Sequence, residues 1–448
     1  MMRIFGHVVA PEMILLWMLD FLLCWGLVTV LLLPPGNAAA DLASLSHAAV
    51  LAAAAGVTAA AIGLHRPEIC LETRRLLANT VVAGLLTLPV VLAVGVVAGI
   101  DTHRLLGADR LHPLRFLLTW VLVLIATRIA FNLAMRLNLF ARRIVVVGRP
   151  ADALHTGAAM RDLRRGFFVV AGTLPPDAGR ALAPALLKRQ RIWGVVVAAQ
   201  ARGVVPKDEL LACRQAGIRI YNDVEFREQQ LRRIDLEHLE PDWMLFAPGL
   251  ARSRLAPALR RCFDVVTSLV FLILTLPVML LTAAAVRLDS AGPALYRQER
   301  VGLHGQVFTL LKFRSMRIDA ESSGPTWASQ KDPRVTRIGA FLRRVRIDEL
   351  PQLFNVLQGA MCFVGPRPER PHFVDQLAEV IPFYRDRASV KPGITGWAQV
   401  NYPYGASVED ARQKLSFDLY YVKHRSLFLD LLILFATVRV ILFQEGSR

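Results

Sequence analysis

Cysteine is scarce in this chain and scattered. The five cysteines, Cys24, Cys70, Cys213, Cys262 and Cys362, include no CxxC pair. That argues against a disulfide framework or a zinc site and leaves each thiol as a small apolar side chain. Internal repeats are also missing, as are low-complexity tracts beyond one Ala-rich stretch. Acids are few: 36 Asp+Glu stand against 53 Lys+Arg, a net charge of +17. The basic residues are dispersed rather than gathered in one tail. Such a balance suits an anionic partner: nucleic acid, a phospholipid surface or a phosphorylated substrate. Polarity is low as well. Hydrophobic residues fill 54% of the 448 positions and mean hydropathy is +0.41, which excludes a simple soluble enzyme and a disordered protein. The length suggests about three domains.

Four apolar stretches, Met13–Leu33, Ser44–Leu64, Leu76–Gly99 and Phe116–Leu133, are each near the roughly 20 residues that cross a hydrocarbon core. No small-residue cleavage site closely follows the first, so it is expected to stay as a span rather than be removed as a signal peptide. The connection Pro34–Ala43 has no Lys or Arg. The second connection carries Arg66, Arg74 and Arg75, and the chain after the fourth stretch carries Arg136, Arg142 and Arg143. By the positive-inside rule, a four-helix transmembrane bundle in residues 1–135 has both ends in the cytoplasm. Arg104, Arg110 and Arg115 in the third connection run against that rule. Asp20, inside the first stretch, is either a functional carboxylate or one paired within the bundle.

The period changes after Arg143. Ile144–Gly148, Gly194–Ala199 and Ile218–Tyr221 read as strands, with helix-forming segments Pro184–Gln190 and Lys207–Gln215 between them. This alternation predicts a parallel α/β module over residues 136–250. Its first strand ends in Gly148-Arg149-Pro150-Ala151, which lacks the G-x-G-x-x-G of a dinucleotide site. The module is therefore expected to be a degenerate Rossmann-like fold with a structural or regulatory role.

A fifth apolar stretch, Phe263–Val286, differs from the first four. Arg252, Arg254, Arg260 and Arg261 precede it, and Arg287, Arg297 and Arg300 follow it. Pro277 at its middle removes a helix hydrogen bond and favours a bend. Basic flanks on both sides predict a re-entrant hairpin over residues 263–286. An ordinary span would place the two soluble parts on opposite sides of the membrane. Near the end, the apolar Leu427–Phe443 is interrupted by Asp430 and Arg439, which suits a helix lying in the membrane interface.

Residues 251–448 carry the candidate chemistry. Arginines recur on short loops rich in Gly and Pro: Tyr296–Gly302, Lys312–Met316, Asp332–Thr336, Phe341–Leu353, Val364–Glu369 and Lys391–Trp397. Guanidinium groups offer planar, bidentate donors for phosphate oxygens, and Gly-Pro-Arg-Pro and Lys-Pro-Gly would hold cations on stiff loops. Asp348 and Glu349 follow Arg343, Arg344 and Arg346 directly. Acids beside a phosphate repel it unless the arginines or a divalent cation neutralise them, and Mg²⁺ accepts one or two carboxylates plus phosphate oxygens. A carboxylate can also attack phosphorus covalently. The blander alternative is an Arg-rich helix facing anionic lipid, with the acid pair as its internal counter-charge.

The ordered motifs RQERVG, KFRSM, DPRVTRIG, DELPQLFNVL, VGPRPERP, KPGITGWAQV and DLYYVK (Asp418–Lys423) resemble those of the bacterial sugar transferase family. These are the polyprenyl-phosphate hexose-1-phosphate transferases, or monotopic phosphoglycosyl transferases. The resemblance runs from Arg260 to the end. Four spans and a degenerate Rossmann-like module in front resemble the family's large members. Asn401–Ala411 and Arg370–Phe373 are similar to the branch linked to exosortase-type exopolysaccharide clusters.

The resemblance implies transfer of a sugar 1-phosphate from a UDP-sugar to undecaprenyl phosphate or another polyprenyl phosphate, releasing UMP. It implies Asp348 as covalent nucleophile and Glu349 as its partner, with Mg²⁺ held at both. Arg343, Arg367, Lys312 and Arg314 fall on the family's phosphate-binding positions, and Pro277 falls on its helix-breaking proline. Some relatives have Ser before that proline where this chain has Leu276. The implied setting is the bacterial inner membrane, with the catalytic domain on the cytoplasmic face. Membrane lipid is then a partner, nucleic acid is not, and a homodimer is compatible. Two other functions compete: a membrane sensor or scaffold with a ligand-binding α/β module, and a nucleotide-sugar oxidoreductase or dehydratase. Neither needs a series of Arg/Gly/Pro loops around an acid pair, and the second needs the glycines missing after Gly148.

Overall fold

Apolar length and charge placement decide the first part of the fold. The computed structural model describes residues 2–4, 7–9, 11–32, 42–66, 69–70, 72–100, 112–152, 156–157, 167–177, 179–239, 241–250, 255–318, 320, 332–403, 405 and 407–442. Of the sequence features above, Leu33, residues 34–41, Arg104, Arg110, Arg252, Arg254, Tyr404, Ala406 and Phe443 lie outside the described residues. The chain forms two compact units, Met1–Leu231 and Arg232–Arg448.

The first unit begins with a short hairpin, β1 (Met2–Ile4) and β2 (His7–Val9). Four apolar helices follow: α1 (Pro11–Leu32), α2 (Leu42–Ala61), α3 (Thr73–Val97) and α4 (His112–Arg136). Each packs on the next, and α4 also contacts α1. All four are long and apolar enough to cross a membrane. Asp20 is fully buried among them, and its role is pairing. Its two oxygens accept from the Arg128 guanidinium at 2.8 and 2.5 Å, and Thr127 and His65 complete its partners. Arg128, also fully buried, donates in addition to the Leu64 carbonyl at 3.0 Å. A charge in an apolar bundle persists when its partner and hydrogen bonds are inside with it.

The parallel sheet has the order β4 (Phe168–Leu174), β3 (Arg142–Val147), β5 (Ile192–Val197), β6 (Arg219–Asn222). Three of these are the strands expected from sequence. The fourth, β4, was not foreseen, although Phe167–Ala171 is a continuous apolar run; it is an edge strand beside β3 whose residues are mostly half-buried or exposed. Alternation sorts the core. Ile144, Val146 and Val196 face Met13 and Leu16 of α1 and Phe131 and Met135 of α4, whereas Val145, Val147, Val195 and Val197 face Leu182, Leu187 and Cys213. Helices α5 (Pro184–Arg189), α6 (Lys207–Gln215) and α7 (Asp223–Leu231) complete this unit.

The second unit starts earlier than the expected boundary at 250. Residues 232–250 pack with it because their apolar side chains and backbone find partners there. Ile234 and Trp243 join its core, Ile234 N–H donates to the Ser416 carbonyl at 2.9 Å, and Trp243 Nε1 donates to Asp386 at 2.9 Å. A 35-residue helix, α8 (Leu255–Asp289), leads into the hairpin β7 (Leu295–Val301) and β8 (Val307–Phe313). Then come α9 (Arg337–Arg344), α10 (Gln352–Gln358), β9 (Cys362–Val364), α11 (Pro371–Val380), β10 (Gly393–Thr395), α12 (Trp397–Asn401), α13 (Val408–His424) and α14 (Leu427–Leu442). Strands β9 and β10 pair in parallel.

Helix α8 stays helical across Pro277, so the secondary structure does not divide into two separate helices there. Thr275, two residues earlier, turns its hydroxyl back to the Phe271 carbonyl at 2.7 Å, a bond that bends helices. Leu269, Ile273, Leu274, Leu280 and Leu281 are exposed along it, and α8 too is long and apolar enough to cross a membrane. The interrupting charges of α14 face the protein. Asp430 accepts from Arg260 and Tyr421, and Arg439 donates to the Val400 carbonyl, so the exposed face is left to Leu431, Phe435, Val438 and Ile441.

Removing Asp20 alone strands a fully buried guanidinium, which costs about 3–5 kcal/mol. Asp20→Ala is expected to lower the unfolding temperature in detergent sharply. The double variant Asp20→Leu with Arg128→Leu should recover much of that loss, as measured by thermal unfolding.

Candidate active site

Asp348 and Glu349 share one 3-10 turn, Ile347–Glu349, between α9 and α10. The chain enters it through Arg346 in the left-handed region, φ 61°. A non-glycine residue there stores roughly 1–3 kcal/mol, sustained by its surroundings. Those surroundings are apolar below the turn. Ile347 and Leu350 pack with Met279 and Val286 of α8, Phe313 of β8 and Leu342 of α9. Helix α9 is itself fixed at its start, where the Thr336 hydroxyl accepts the Gly339 N–H at 3.0 Å. A side chain at 339 would run into the Ser315 carbonyl, so the helix lies directly on the backbone that follows β8.

With the apolar side anchored, the acids meet a ring of cations. Glu349 Oε1 accepts from Arg367 at 2.7 Å and lies 3.5 Å from Lys312 Nζ and 3.6 Å from an Arg346 nitrogen. Asp348 is buried, and among the described residues its Oδ1 has no hydrogen-bond partner. The two carboxyl groups are driven apart. Burial and the neighbouring Glu349 charge raise Asp348, against the pull of Lys312, Arg343 and Arg346. Burial alone would raise Glu349 too, but Arg367, Lys312 and Arg346 outweigh it and hold that carboxyl far below the usual range. Burial lowers Lys312 to about 8. Adjacent acids separated this way serve different roles.

Arg367 is held by its backbone. Gly365 N–H donates to the Thr395 carbonyl at 2.8 Å and Gly393 N–H to the Pro366 carbonyl at 3.0 Å. Gly365 and Gly393 approach so closely that a Cβ on Gly393 would collide with the backbone of Gly365. The Arg367 carbonyl accepts from Arg387 at 2.9 Å, and Arg387 also donates to Asp418 at 2.7 Å and to the Tyr384 hydroxyl at 2.9 Å. Burial pushes the Asp418 carboxyl up to about 6, so at neutral pH it is ionised against Arg387.

The structure thus brings Glu349, Lys312 and Arg367 together beside Asp348, and the Arg343 charge acts on Asp348. It does not bring Arg314. That guanidinium is buried and donates to the carbonyls of Ala291 and Ser290 at 2.6 Å and of Val286 at 3.3 Å. Two of these carbonyls, Ser290 and Ala291, lie in the turn just past α8, and the third is in its last turn, so Arg314 ties the exit of α8 to the end of β8. Pro277 lies within α8. Sequence reasoning missed Arg387 and passed over Arg346. The signal for Arg387 was Asp418, an acid inside the apolar run of DLYYVK that needs a buried cation.

The unpartnered Asp348 oxygen fits a divalent cation, and an all-oxygen donor set suits Mg²⁺. Asp348 would be the main ligand, because Glu349 Oε1 already faces three cations. The α/β module offers no such opening at its first turn. The Arg149 N–H donates to Asp152 Oδ2 at 2.8 Å, and a Cβ on Gly148 would meet that same oxygen at 2.7 Å. An internal carboxylate sits where a dinucleotide fold would admit a phosphate.

Comparison with known proteins places these features in one family. Residues 255–444 match the family described as bacterial sugar transferase. The UDP-glucose:undecaprenyl-phosphate glucose-1-phosphate transferase of Caulobacter vibrioides is 43% identical over 203 residues, 45% of this chain and 76% of that protein. The UDP-N-acetylgalactosamine-undecaprenyl-phosphate N-acetylgalactosaminephosphotransferase of Aeromonas hydrophila is 42% identical over 239 residues, 53% of this chain and 56% of that protein. The UDP-glucose:undecaprenyl-phosphate glucose-1-phosphate transferase of Escherichia coli K12 is 44% identical over 182 residues, 40% of this chain and 39% of that protein. The chain belongs to the bacterial sugar transferase family, although it aligns with only about half of the Aeromonas protein and less of the Escherichia one.

Asp418→Ala would leave Arg387 buried without its counter-charge, at about 3–5 kcal/mol. Thermal unfolding should show that loss. Asp418→Asn should cost less, and transfer assays should show its rate reduced through the loosened Arg367 loop.

Proposed function

We propose that this protein transfers a sugar 1-phosphate from a UDP-sugar to a polyprenyl phosphate such as undecaprenyl phosphate, releasing UMP. The observation that carries this reading is the buried Asp348 carboxylate, with one oxygen unpartnered, beside a Glu349 already neutralised by Arg367, Lys312 and Arg346. A carboxylate with a free oxygen amid cations is a nucleophile poised for a phosphate ester. The relatives' names, each a transferase that uses undecaprenyl phosphate, support the substrate classes.

In the proposed reaction an Asp348 oxygen attacks the sugar-bearing phosphorus. The bond from that phosphorus to the bridging oxygen breaks, and UMP leaves with the electron pair. An oxygen of the polyprenyl phosphate then attacks the same phosphorus and Asp348 leaves as carboxylate. Arg343 and Arg367 stabilise charge on the phosphoryl oxygens, and Glu349 keeps Arg367, Lys312 and Arg346 oriented. Bound Mg²⁺ would offset repulsion between the Asp348 carboxylate and the diphosphate.

Membrane placement follows from the same reading. Helices α1–α4 form a transmembrane bundle, and α8 enters and leaves on the cytoplasmic face of the inner membrane, bent at Thr275 and Pro277. Arg287 is exposed just past its apolar length, and Arg260 and Arg261 near its start bond to Asp430 and to the carbonyls of Val356 and Leu357. Both ends are thus kept with the polar domain, where both substrates meet one carboxylate.

Radiolabelled UDP-sugar mixed with enzyme and Mg²⁺, without lipid acceptor, should label the protein at Asp348, and added polyprenyl phosphate should chase the label. Asp348→Asn should abolish label and turnover, and Glu349→Gln should reduce turnover severely. UMP release only in the presence of acceptor, with no trapped label, would favour direct transfer. Cysteines placed at Pro257 and Ser290 should both react with a cytoplasmic thiol reagent. Protection of position 290 would show that α8 spans, and Pro277→Leu should shift it toward that state with a sharp fall in activity.

A further inference from the structure

Trp243 stands in the stretch 232–250 that leads into α8, outside the residues that match the family. This stretch holds only short 3-10 turns, among them Trp243–Phe246 and Pro248–Leu250, yet its ties to the second unit are specific. The Ile234 N–H donates to the Ser416 carbonyl, and the Trp397 indole donates to the Arg232 carbonyl, each at 2.9 Å. Gly249 lies so close to the backbone of Val422, Lys423 and Arg425 that a side chain there would collide with it. Trp243 itself is 5% exposed and shares an apolar core with Phe373, Tyr384 and Val390. Its indole N–H donates to Asp386 Oδ2 at 2.9 Å. Asp386 belongs to the 3-10 segment Tyr384–Ser389. Six residues is long for a 3-10 helix, whose hydrogen bonds are poorly aligned. The chain also enters the segment through Phe383 in the left-handed region, φ 62°, which is costly for a residue other than glycine. Such a segment keeps its place through ties from outside.

We infer that Trp243 is a positioning residue for Arg367, acting through Asp386 and Arg387. The inference rests on the proposed role of Arg367 in transfer, and it makes that role depend on chain outside the family's segment. Asp386 and Arg387 are neighbours, and successive side chains of a 3-10 helix point about 120° apart. One is gripped by the Trp243 indole. The other donates to the Asp418 carboxylate at 2.7 Å and to the Arg367 carbonyl at 2.9 Å. A short turn pinned from two directions cannot rotate about its own axis, so the Arg387 guanidinium meets the Arg367 backbone from a fixed point. Arg367 in turn donates to Glu349 Oε1 at 2.7 Å. The Met244 sulfur, 3.8 Å from the Ser389 hydroxyl, adds a second contact between the stretch and the segment. Loss of the indole bond would leave the turn held by Arg387 alone, and the Arg367 loop would loosen with it. The simpler role for Trp243 is to fill the core. The two roles differ in one respect: a filler needs only the ring, whereas a positioning residue needs the N–H and its acceptor.

The test uses the full-length enzyme in lipid nanodiscs, with Trp243→Phe, Asp386→Ala and the double variant. The first keeps an aromatic ring in the core and the second leaves the tryptophan untouched, but each removes the bond. Amide hydrogen exchange is read first, without substrate. Exchange over residues 384–389 and 363–369 should quicken about fivefold in each single variant, while α10 changes less than about twofold. Unchanged exchange over 363–369, or an equal rise in α10 that marks general loosening, would overturn the inference. Transfer kinetics are read second. The kcat/KM for UDP-sugar should fall about fivefold in each single variant, and the double variant should be worse by no more than about twofold, because one bond is lost only once. Losses that multiply, or a loss in Trp243→Phe alone, would show that the tryptophan acts by packing and would overturn the inference too. The exchange measurement needs no turnover. A protein that transfers no sugar phosphate would therefore sink the proposed function, and exchange over 363–369 would still decide the positioning role.

Discussion

The second unit depends on how two adjacent carboxylates are kept among cations without neutralising both. A single backbone turn would place Asp348 and Glu349 in the same field, and two buried negative charges side by side repel. The protein resolves this by unequal partnering. Glu349 takes Arg367, Lys312 and Arg346, and is thereby fixed as an anion. Asp348 is left with an oxygen that has no hydrogen-bond partner among the described residues. The cations bound to Glu349 lie near enough to Asp348 to moderate its burial, so one acid serves as the electrostatic frame for the other.

That asymmetry is maintained by residues other than the acids and the cations around Glu349. Ile347 and Leu350 are anchored in an apolar cluster with α8, which determines which side of the turn is left for the acids. Arg314 closes the carbonyls at the end of α8 and so fixes that cluster from below. Arg387 and Asp418 hold the backbone of Arg367 from the other side. The Gly365–Gly393 contact gives that loop its shape, because backbone can approach backbone so closely only without side chains. Arginine therefore has two occupations in this unit. Some guanidinium groups face the acid pair, whereas others satisfy carbonyls and tie loops.

A similar distinction applies to the charges in apolar helices. Asp20 in α1 and Asp430 and Arg439 in α14 look from sequence like marks of function or of contact with water. Each is instead internally paired: Asp20 with Arg128, Asp430 with Arg260 and Tyr421, and Arg439 with the Val400 carbonyl. The apolar outer faces of these helices are left uninterrupted.

Much of this was legible in the sequence because it depends on local length, period and spacing. Four helices of membrane-spanning length, three parallel strands and the helix Lys207–Gln215 follow from runs and alternation that the chain carries in itself. The motif order around Asp348-Glu349 also survives in one dimension, since the turn, its flanking arginines and the GPRP loop are each contiguous. Edge strand β4 was passed over although Phe167–Ala171 is apolar, because a short apolar run does not by itself separate a strand from a buried helix segment. The division of labour among arginines was not legible. Arg314 and Arg367 sit in equally basic, equally motif-like segments, and only the fold decides that one meets three carbonyls at and just past the end of α8 and the other meets Glu349. Partnership between residues such as Arg387 and Asp418, 31 positions apart, is fixed by which backbone passes nearby, and no local pattern encodes that.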